Sequence, residues 1–345
     1  MEHHTQLLFG ILCFTCLLLA VLFFYSCCRW QETGKSRWAG IAGFSLGYGL
    51  MTRYLSMFAM ALPVLIFVIY PGFKRKEIRR AGLCAFFLAA GGVTALHLYY
   101  NFLITGNLLN TPNHYFHAHE RLGFIAGYTP GLALHYFEQR LLYLTEWTPP
   151  ALTLIFLAGL FFFKPLHAWD KGVRSSVISL AMAYLFYYSW GGNQYGPRYY
   201  FEAYPFLSLL ASSFLIRIYQ AGEGRAKKMA AGMTLASLLG ALPIFFYHAS
   251  FFRTVSAERR SAYDLAEAMT AKPALVFLSG FLGNKLVISP EDSVRNDPFL
   301  DSPVIYAHDL GEKNKALIPY FKNRNYYRAH YDRGRNRPEL EKITF

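Results

Sequence analysis

The stretch LLFGILCFTCLLLAVLFFYSC, residues 7–27, decides the class of this protein. None of its 21 residues is charged, and a helix of about 20 apolar residues spans the hydrocarbon core of a bilayer. Such a segment must be helical, because lipid cannot hydrogen-bond an open backbone. Five further stretches have the same character: residues 81–103, 151–163, 177–190, 201–218 and 229–248. The chain is 54% apolar and only 16% charged, which favours a polytopic membrane protein over a soluble one.

Residues 38–70 are apolar but carry Arg53 near their middle. Read as one helix, this stretch would be about 50 Å long, too long for a single crossing. A charge in its middle would also cost several kcal/mol if lipid surrounded it. The pattern therefore predicts a hairpin of residues 38–51 and 55–70, with Arg53 at an interface.

The basic residues between the apolar stretches predict the orientation in the membrane. With the hairpin in place, 15 Lys and Arg fall on one side and four on the other. The richer side is expected to be cytoplasmic. The four opposite residues are Arg53, Arg121, Arg140 and Arg198. This arrangement accounts for the net charge of +13 without nucleic acid as a partner. We expect a multi-pass protein of a bacterial inner (plasma) membrane, in contact with the lipid bilayer.

The composition changes near residue 251. Residues 251–345 hold 15 of the 34 Lys and Arg and read as a water-soluble domain on the periplasmic or extracellular side. Residues 256–272 predict an amphipathic helix, residues 274–279 (ALVFLS) a buried strand, and residues 304–307 and 326–329 further strands. A helix is expected near residues 312–321. The predicted fold is an all-α membrane bundle of about eight transmembrane or re-entrant helices (1–250) with a small C-terminal α/β domain (251–345).

The loop GGNQYGPRYYFEAYP, residues 191–205, is the first candidate site. It places Arg198, Tyr199 and Glu202 at the predicted outer face, where the next helix begins. An arginine there can pair with the phosphate of a membrane-embedded ligand. The alternative is an Arg198–Glu202 ion pair that only stabilises a helix end. Arg53 with Tyr54 lies on the same side, either as an interface anchor or as a second phosphate partner.

The segment HYFHAHE, residues 114–120, is the second candidate. On a helix His114 and His117 would share a face, and His117 would adjoin Glu120. Three interpretations remain open for this segment: it ligates a metal, it contacts the substrate, or it has no functional role. No metal site is assigned. Glu2 faces the same compartment but belongs to a chain terminus, which is usually mobile.

Residues 132–148 (LALHYFEQRLLYLTEWT) predict a helix lying in the membrane interface, apolar on one face, with Glu138 and Arg140 on the other. Either it borders a lipid-accessible groove or it packs against the bundle. The chain has no GxxxxGKS, GxGxxG or paired CxxC. Nucleotide chemistry therefore has no sequence support, and no cofactor is expected.

Four stretches resemble a known family: GFSLGYGLMTRY (43–54), YNFLITGNLLNTP (100–112), YGPRYYFEAYPFLSLL (195–210) and NDPFLDSPVIYAHDLGEKN (296–314). They are similar to the GT-C membrane glycosyltransferases, in the group of the dolichyl-phosphate-mannose protein mannosyltransferases and lipid A aminoarabinose transferases. The more specific parts are Arg198-Tyr199 and the TGN of residues 105–107.

This resemblance implies transfer of a sugar from a polyprenyl-phosphate donor to a lipid or glycan acceptor on the outer face. It implies that Arg198 and Arg53 hold the donor phosphate, and that residues 114–120 border the acceptor groove. Family members carry a catalytic carboxylate in their first outer loop, which has no counterpart here. We therefore expect that the chain lacks an N-terminal part. Glu2, His117 and Glu120 are the substitute candidates.

Two other functions remain open: a transporter or assembly subunit for lipid-linked glycans, and an inactive fragment. A transporter usually places polar groups at the membrane midplane, in repeated halves with broken helices. Here the polar residues cluster at one predicted face and no repeat is visible, which favours the enzyme.

Overall fold

The computed structural model describes residues 2–75, 78–112, 122–124, 127–162, 164–165, 167–188, 199–221, 224–279, 295–297, 299–332, 335 and 337–345, with side chains from residue 15 onward except those of 221, 258, 259 and 331. Two compact units divide the chain: Phe9–Ile244, and Phe245–Phe345 together with Met1–Leu8. The helices are α1 (Glu2–Thr33), α2 (Ser36–Val64), α3 (Tyr70–Lys74), α4 (Arg80–Thr105), α5 (Pro130–Glu146), α6 (Pro150–Phe161), α7 (Ala168–Ala183), α8 (Tyr204–Ala221) and α9 (Gly224–Met269).

The chain is mostly helical, and four of the described helical segments are long and apolar enough to cross a membrane. They are Ser36–Lys74, Arg80–Thr105, Phe201–Gln220 and Gly224–Met269, and Pro150–Phe161 is a shorter apolar helix. The expected number of about eight crossings is not shown. Several of the apolar stretches form helices that are too short, or too mixed in composition, to count as crossings.

Helix α2 folds back on itself at Arg53, the one residue inside it with a non-helical backbone (φ −150°, ψ 79°). A Cβ atom placed on Gly49 would lie 3.4 Å from the Cβ of Met57. In a straight helix, residues eight apart are separated by about 12 Å. The predicted hairpin with Arg53 at its turn is therefore confirmed.

The two arms of the hairpin pack against different helices. In the first arm, Gly43 and Gly47 lie against Phe86 and Ala90 of α4, so these helices run parallel. The spacing of the two glycines is the small-xxx-small pattern that lets helix backbones approach closely. In the second arm, the Met60 carbonyl accepts a hydrogen bond of 2.6 Å from Ser176 Oγ of α7. Gly172 lies beside Val64 and Val68, so this pair of helices runs antiparallel. These directions agree with the predicted order of crossings.

The C-terminal unit contains a four-stranded sheet in the order β2-β1-β3-β4. Its strands are β1 (Ala274–Leu278), β2 (Val304–His308), β3 (Asn325–Asp332) and β4 (Arg337–Lys342). β1 is parallel to β2 and β3, while β4 is antiparallel to β3. All five side chains of β1 are buried, as expected for a strand covered on both faces. The three predicted strands are confirmed, and a 3₁₀ helix (Gly311–Tyr320) stands where a helix was expected.

Candidate functional site

The turn of the α2 hairpin carries the first half of the site. The Arg53 guanidinium forms a salt bridge of 2.5 Å with Oε1 of Glu202. Glu202 is fully buried, and the Arg53 side chain is 15% exposed. A carboxylate in such surroundings needs an opposite charge and hydrogen bonds, and Arg53 provides the charge and a hydrogen bond to Oε1.

Glu202 belongs to a short 3₁₀ turn (Phe201–Ala203) that leads into α8. Packing of α8 fixes the position of this turn, since Phe206 lies 4.2 Å from Phe24 of α1 between ring centroids. The buried thiol of Cys16, also on α1, lies close to the Glu202 carboxylate. Three helices therefore hold this one acidic group.

Tyr199 lies between two arginines. Its ring centroid is 5.6 Å from the guanidinium carbon of Arg53 and 5.3 Å from that of Arg140. Such distances allow cation–π attraction, which strengthens where water is excluded. The Tyr199 ring also stacks on Tyr184, with centroids 4.5 Å apart. One aromatic side chain thus joins the two cationic groups.

Arg140 of α5 is the second cation and is only 3% exposed. It donates hydrogen bonds to the carbonyls of Tyr184 (2.5 Å) and Tyr187 (3.2 Å). These carbonyls follow the end of α7, where the helix dipole favours a positive charge. Of the two interpretations of residues 132–148, packing against the bundle applies to Arg140, whereas Glu138 is exposed. Arg140 points into the protein and ties α5 to the end of α7.

Ser56 and Tyr184 connect the two halves of the site through a buried hydrogen bond of 2.7 Å between their hydroxyls. Ser56 follows the hairpin turn by three residues, and Tyr184 accepts the bond from Arg140 through its carbonyl. The cluster Arg53–Arg140–Tyr199–Glu202 is therefore built from α2, α5, the end of α7 and the start of α8. Its two guanidiniums and one carboxylate leave one positive charge, which suits an anionic group.

The structure brings together Arg53, Tyr199 and Glu202, three of the residues predicted for the site. Tyr54 is 48% exposed. Arg198, His114, His117 and Glu120 lie outside the described residues, as does the side chain of Glu2. Their roles stay predictions. The alternative Arg198–Glu202 pairing also stays a prediction, since Arg198 is not described; the described partner of Glu202 Oε1 is Arg53.

The TGN segment closes the end of α4. Gly106 takes the left-handed conformation (φ 71°) that ends many helices. The Thr105 hydroxyl lies within 3.0 Å of the carbonyls of Asn101, Asn107 and Asn110. Asn107 Oδ1 accepts from the Leu109 backbone at 2.9 Å. These contacts give the motif a structural role as a helix cap.

Sequence reasoning missed Arg140, Tyr184 and Ser56 as members of the cluster. A usable signal was the charge itself, since Arg140 is one of only four basic residues on its predicted side. The burial of Arg140 depends on which face of α5 turns towards the protein interior, and the amphipathic pattern favoured the apolar face rather than the face that carries Arg140. Within the described part of the chain, no group of three His, Cys, Asp or Glu residues could hold a metal ion.

The comparisons with known proteins concern only the C-terminal sheet. Residues 274–344 match the family model described as a domain of unknown function, DUF7846. Searches of curated proteins and of solved structures give no match. The chain is thus similar to DUF7846 from β1 through β4, and the function of the helical unit has to be argued from its own residues.

Proposed function

We propose that this protein is a membrane glycosyltransferase of the GT-C type. It moves a sugar from a polyprenyl-phosphate donor to a cell-envelope acceptor on the outer face of a bacterial inner membrane. The observation that carries the proposal is the meeting of Arg53, Arg140 and Glu202 around Tyr199. Ionisable groups buried among apolar helices are costly and mark functional sites. The residue before Tyr199 is Arg198, which the family resemblance assigns to the donor phosphate.

The chemistry follows from the charge of the cluster. When an acceptor hydroxyl attacks the anomeric carbon, the bond to the lipid phosphate breaks and negative charge grows on the leaving phosphate. Guanidiniums held in place before the reaction stabilise that charge without reorganisation. Arg53 and Arg198 are the groups we assign to this task. Glu202 is a positioning residue, because its buried carboxylate orients Arg53.

Deprotonation of the acceptor hydroxyl requires a base. Glu202 does not suit this task, because it is fully buried and paired with Arg53. The candidates remain Glu2, His117 and Glu120. Inverting transfer is the proposed stereochemical outcome.

The direct experiment measures sugar transfer by the full-length protein in liposomes that contain a radiolabelled polyprenyl-phosphate sugar. Arg198→Ala should abolish transfer, and the conservative variant Arg198→Lys should restore part of it. Arg225→Gln is the matched control, because Arg225 is exposed on the opposite predicted side. Transfer by Arg198→Ala at the parental rate would remove Arg198 from the site.

A binding experiment separates donor recognition from catalysis. Native mass spectrometry would compare polyprenyl phosphate with the uncharged polyprenol. The parent protein should prefer the phosphate by about tenfold or more, in line with charge-assisted hydrogen bonds. Arg53→Gln should remove much of that preference. Movement of the intact lipid-linked sugar across the bilayer without transfer would support the transporter instead.

A further inference from the structure

The C-terminal unit contains a cleft of its own. Its volume is about 440 Å³, within the range of about 300–1,000 Å³ typical of small-molecule sites. Its lining is mainly polar and includes Arg260, Asp264, Glu267, Lys272, Arg295 and Tyr306. All of these residues belong to the Phe245–Phe345 part of the chain.

One wall of the cleft is the polar stripe of α9. Arg260, Asp264 and Glu267 are spaced by four and three residues, so they share one face of the helix. On the other face, Ala262, Tyr263 and Ala266 are buried against the sheet. The burial of that face therefore fixes which way the charged stripe points.

The opposite wall is held in place by Arg295 and by β2. The Arg295 guanidinium lies 4.0 Å from the centroid of the Tyr263 ring, and its side chain is only 15% exposed. Glu267 lies 3.9 Å from it. The neighbouring Asn296 pairs with the backbone of Tyr306 through two hydrogen bonds of 2.6 and 2.7 Å. A cation fixed in this way is preorganised for a ligand.

Lys272 gives the cleft a positive charge that no carboxylate of the cleft neutralises. Arg260 lies 3.9 Å from Asp264, and Arg295 lies beside Glu267. Within the described chain, by contrast, no carboxylate lies within ion-pair distance of the exposed Lys272. The three cations and two carboxylates leave one positive charge at this end of the cleft.

The described polar groups at the other end of the sheet are arranged differently. Ligands in open α/β sheets usually bind at the carboxyl ends of the parallel strands. There, Asp309 accepts hydrogen bonds from the Gly311 backbone, from Asn314 and from Arg328 at 2.6–2.9 Å. The carboxylate of Asp309 is thus already occupied by donors of the protein itself. Lys272, Ser302 and Val304 lie instead at the amino ends of β1 and β2.

We propose that this cleft binds an acidic saccharide, with Lys272 holding its carboxylate or phosphate group and the carboxylates of Asp264 and Glu267 accepting its hydroxyls. The fixed guanidinium of Arg295 and the hydroxyl of Tyr306 line the same space. Carboxylates beside cations suit a ligand that carries both an acid group and several hydroxyl donors. An apolar peptide anchor would find little matching surface. The choice of a saccharide over another polyhydroxylated anion rests on the proposed function.

The test is a titration of the full-length protein in detergent by isothermal calorimetry, with no donor lipid present. The probes are glucuronate, glucose 6-phosphate, glucose and inorganic phosphate. At least one acidic sugar should bind saturably and about tenfold more tightly than glucose or inorganic phosphate. Lys272→Gln should weaken that binding about tenfold, and Arg260→Gln should weaken it less. Lys313→Gln is the control, because it removes an exposed lysine from the other end of the sheet.

Each contrary outcome is informative. If inorganic phosphate bound as tightly as the acidic sugars, the cleft would be a simple anion site and not a saccharide site. If glucose bound as tightly as the acidic sugars, the positive charge would have no role in recognition. Absence of binding by all four probes, or an unchanged affinity in Lys272→Gln, would overturn the proposal. Because the titration needs no transfer, its failure can be distinguished from failure of the glycosyltransferase assignment.

Discussion

The two units of this protein use the same pairing of arginine with carboxylate in opposite surroundings. In the helical unit, Arg53 and Glu202 lie 2.5 Å apart, and the carboxylate is fully buried. In the C-terminal unit, Arg328 lies 2.8 Å from Asp309 and 3.2 Å from Glu341, on a sheet that is partly exposed to solvent. Among buried apolar helices a lost partner leaves a charge that water cannot reach, whereas on an exposed sheet water replaces much of the lost interaction. Ion pairs of similar geometry should therefore contribute unequally to the stability of the two units.

The largest expected effect comes from breaking the buried pair. Glu202→Ala removes the carboxylate that faces Arg53, and such a loss typically costs about 3–5 kcal/mol. Thermal unfolding of the purified protein in detergent measures it. The double variant Arg53→Met, Glu202→Leu should recover most of the loss, because no buried charge remains. A single variant as stable as the parent would show that the pair is solvated.

The second prediction concerns how the helical unit brings its charges together. A Cβ atom at Gly43 would overlap the backbone carbonyl of Phe86, whereas one at Gly40 would meet nothing within 4 Å. Gly43→Ala should therefore cost about 1–3 kcal/mol through overpacking. Gly40→Ala should be neutral or slightly stabilising, because alanine favours the helix. Equal melting temperatures for the two variants would contradict the close approach of α2 and α4.

The third prediction addresses pH in the C-terminal unit. Burial alone raises the pKa of Asp309, but hydrogen bonds from Gly311 and Asn314, with the charge of Arg328, outweigh it and leave the pKa below its ordinary value. A carboxyl whose pKa is lower in the folded state stabilises the fold above its unfolded pKa of about 3.9. That stability is lost as the pH falls through the folded pKa.

Asp309→Asn should cost about 1–2 kcal/mol near neutral pH and should remove part of the acid sensitivity. The measurement is hydrogen exchange of peptides from β2 and β3 in the full chain, corrected for the intrinsic pH dependence of exchange. An identical loss of protection on acidification in parent and variant would show that Asp309 is not the titrating group.

The smallest effect is expected at the solvent-exposed end of the same sheet. Arg335 lies 2.8 Å from Glu339, but its side chain is 63% exposed. Surface pairs of this kind contribute little, because water and salt screen them. Arg335→Gln should leave the melting temperature unchanged in low and in high salt. A clear, salt-dependent decrease in the melting temperature would mean that solvent exposure does not explain the difference between the buried and the surface ion pairs.

The match to DUF7846 adds a practical contrast between the units. It covers residues 274–344, which form the sheet and part of the acidic-saccharide cleft, and does not extend into the helical unit. The two proposals consequently stand on separate residues and are tested by separate measurements.

The sequence by itself determined the elements and several of their ends. Apolar length predicted helices, four of which are long and apolar enough to cross a membrane in the described chain. The isolated charge of Arg53 in an apolar stretch predicted the hairpin turn. The apolar run of residues 274–279 predicted β1. These features follow from local pattern, because a helix or a buried strand must satisfy its own backbone and bury its own side chains.

Only the tertiary structure decided which charges meet. The described partner of Glu202 is Arg53, 149 residues earlier in the chain. Arg140 turned inward to the carbonyls of Tyr184 and Tyr187 rather than outward to a polar face. Such contacts depend on how several helices pack and rotate against one another, and the periodicity of one segment does not contain that information.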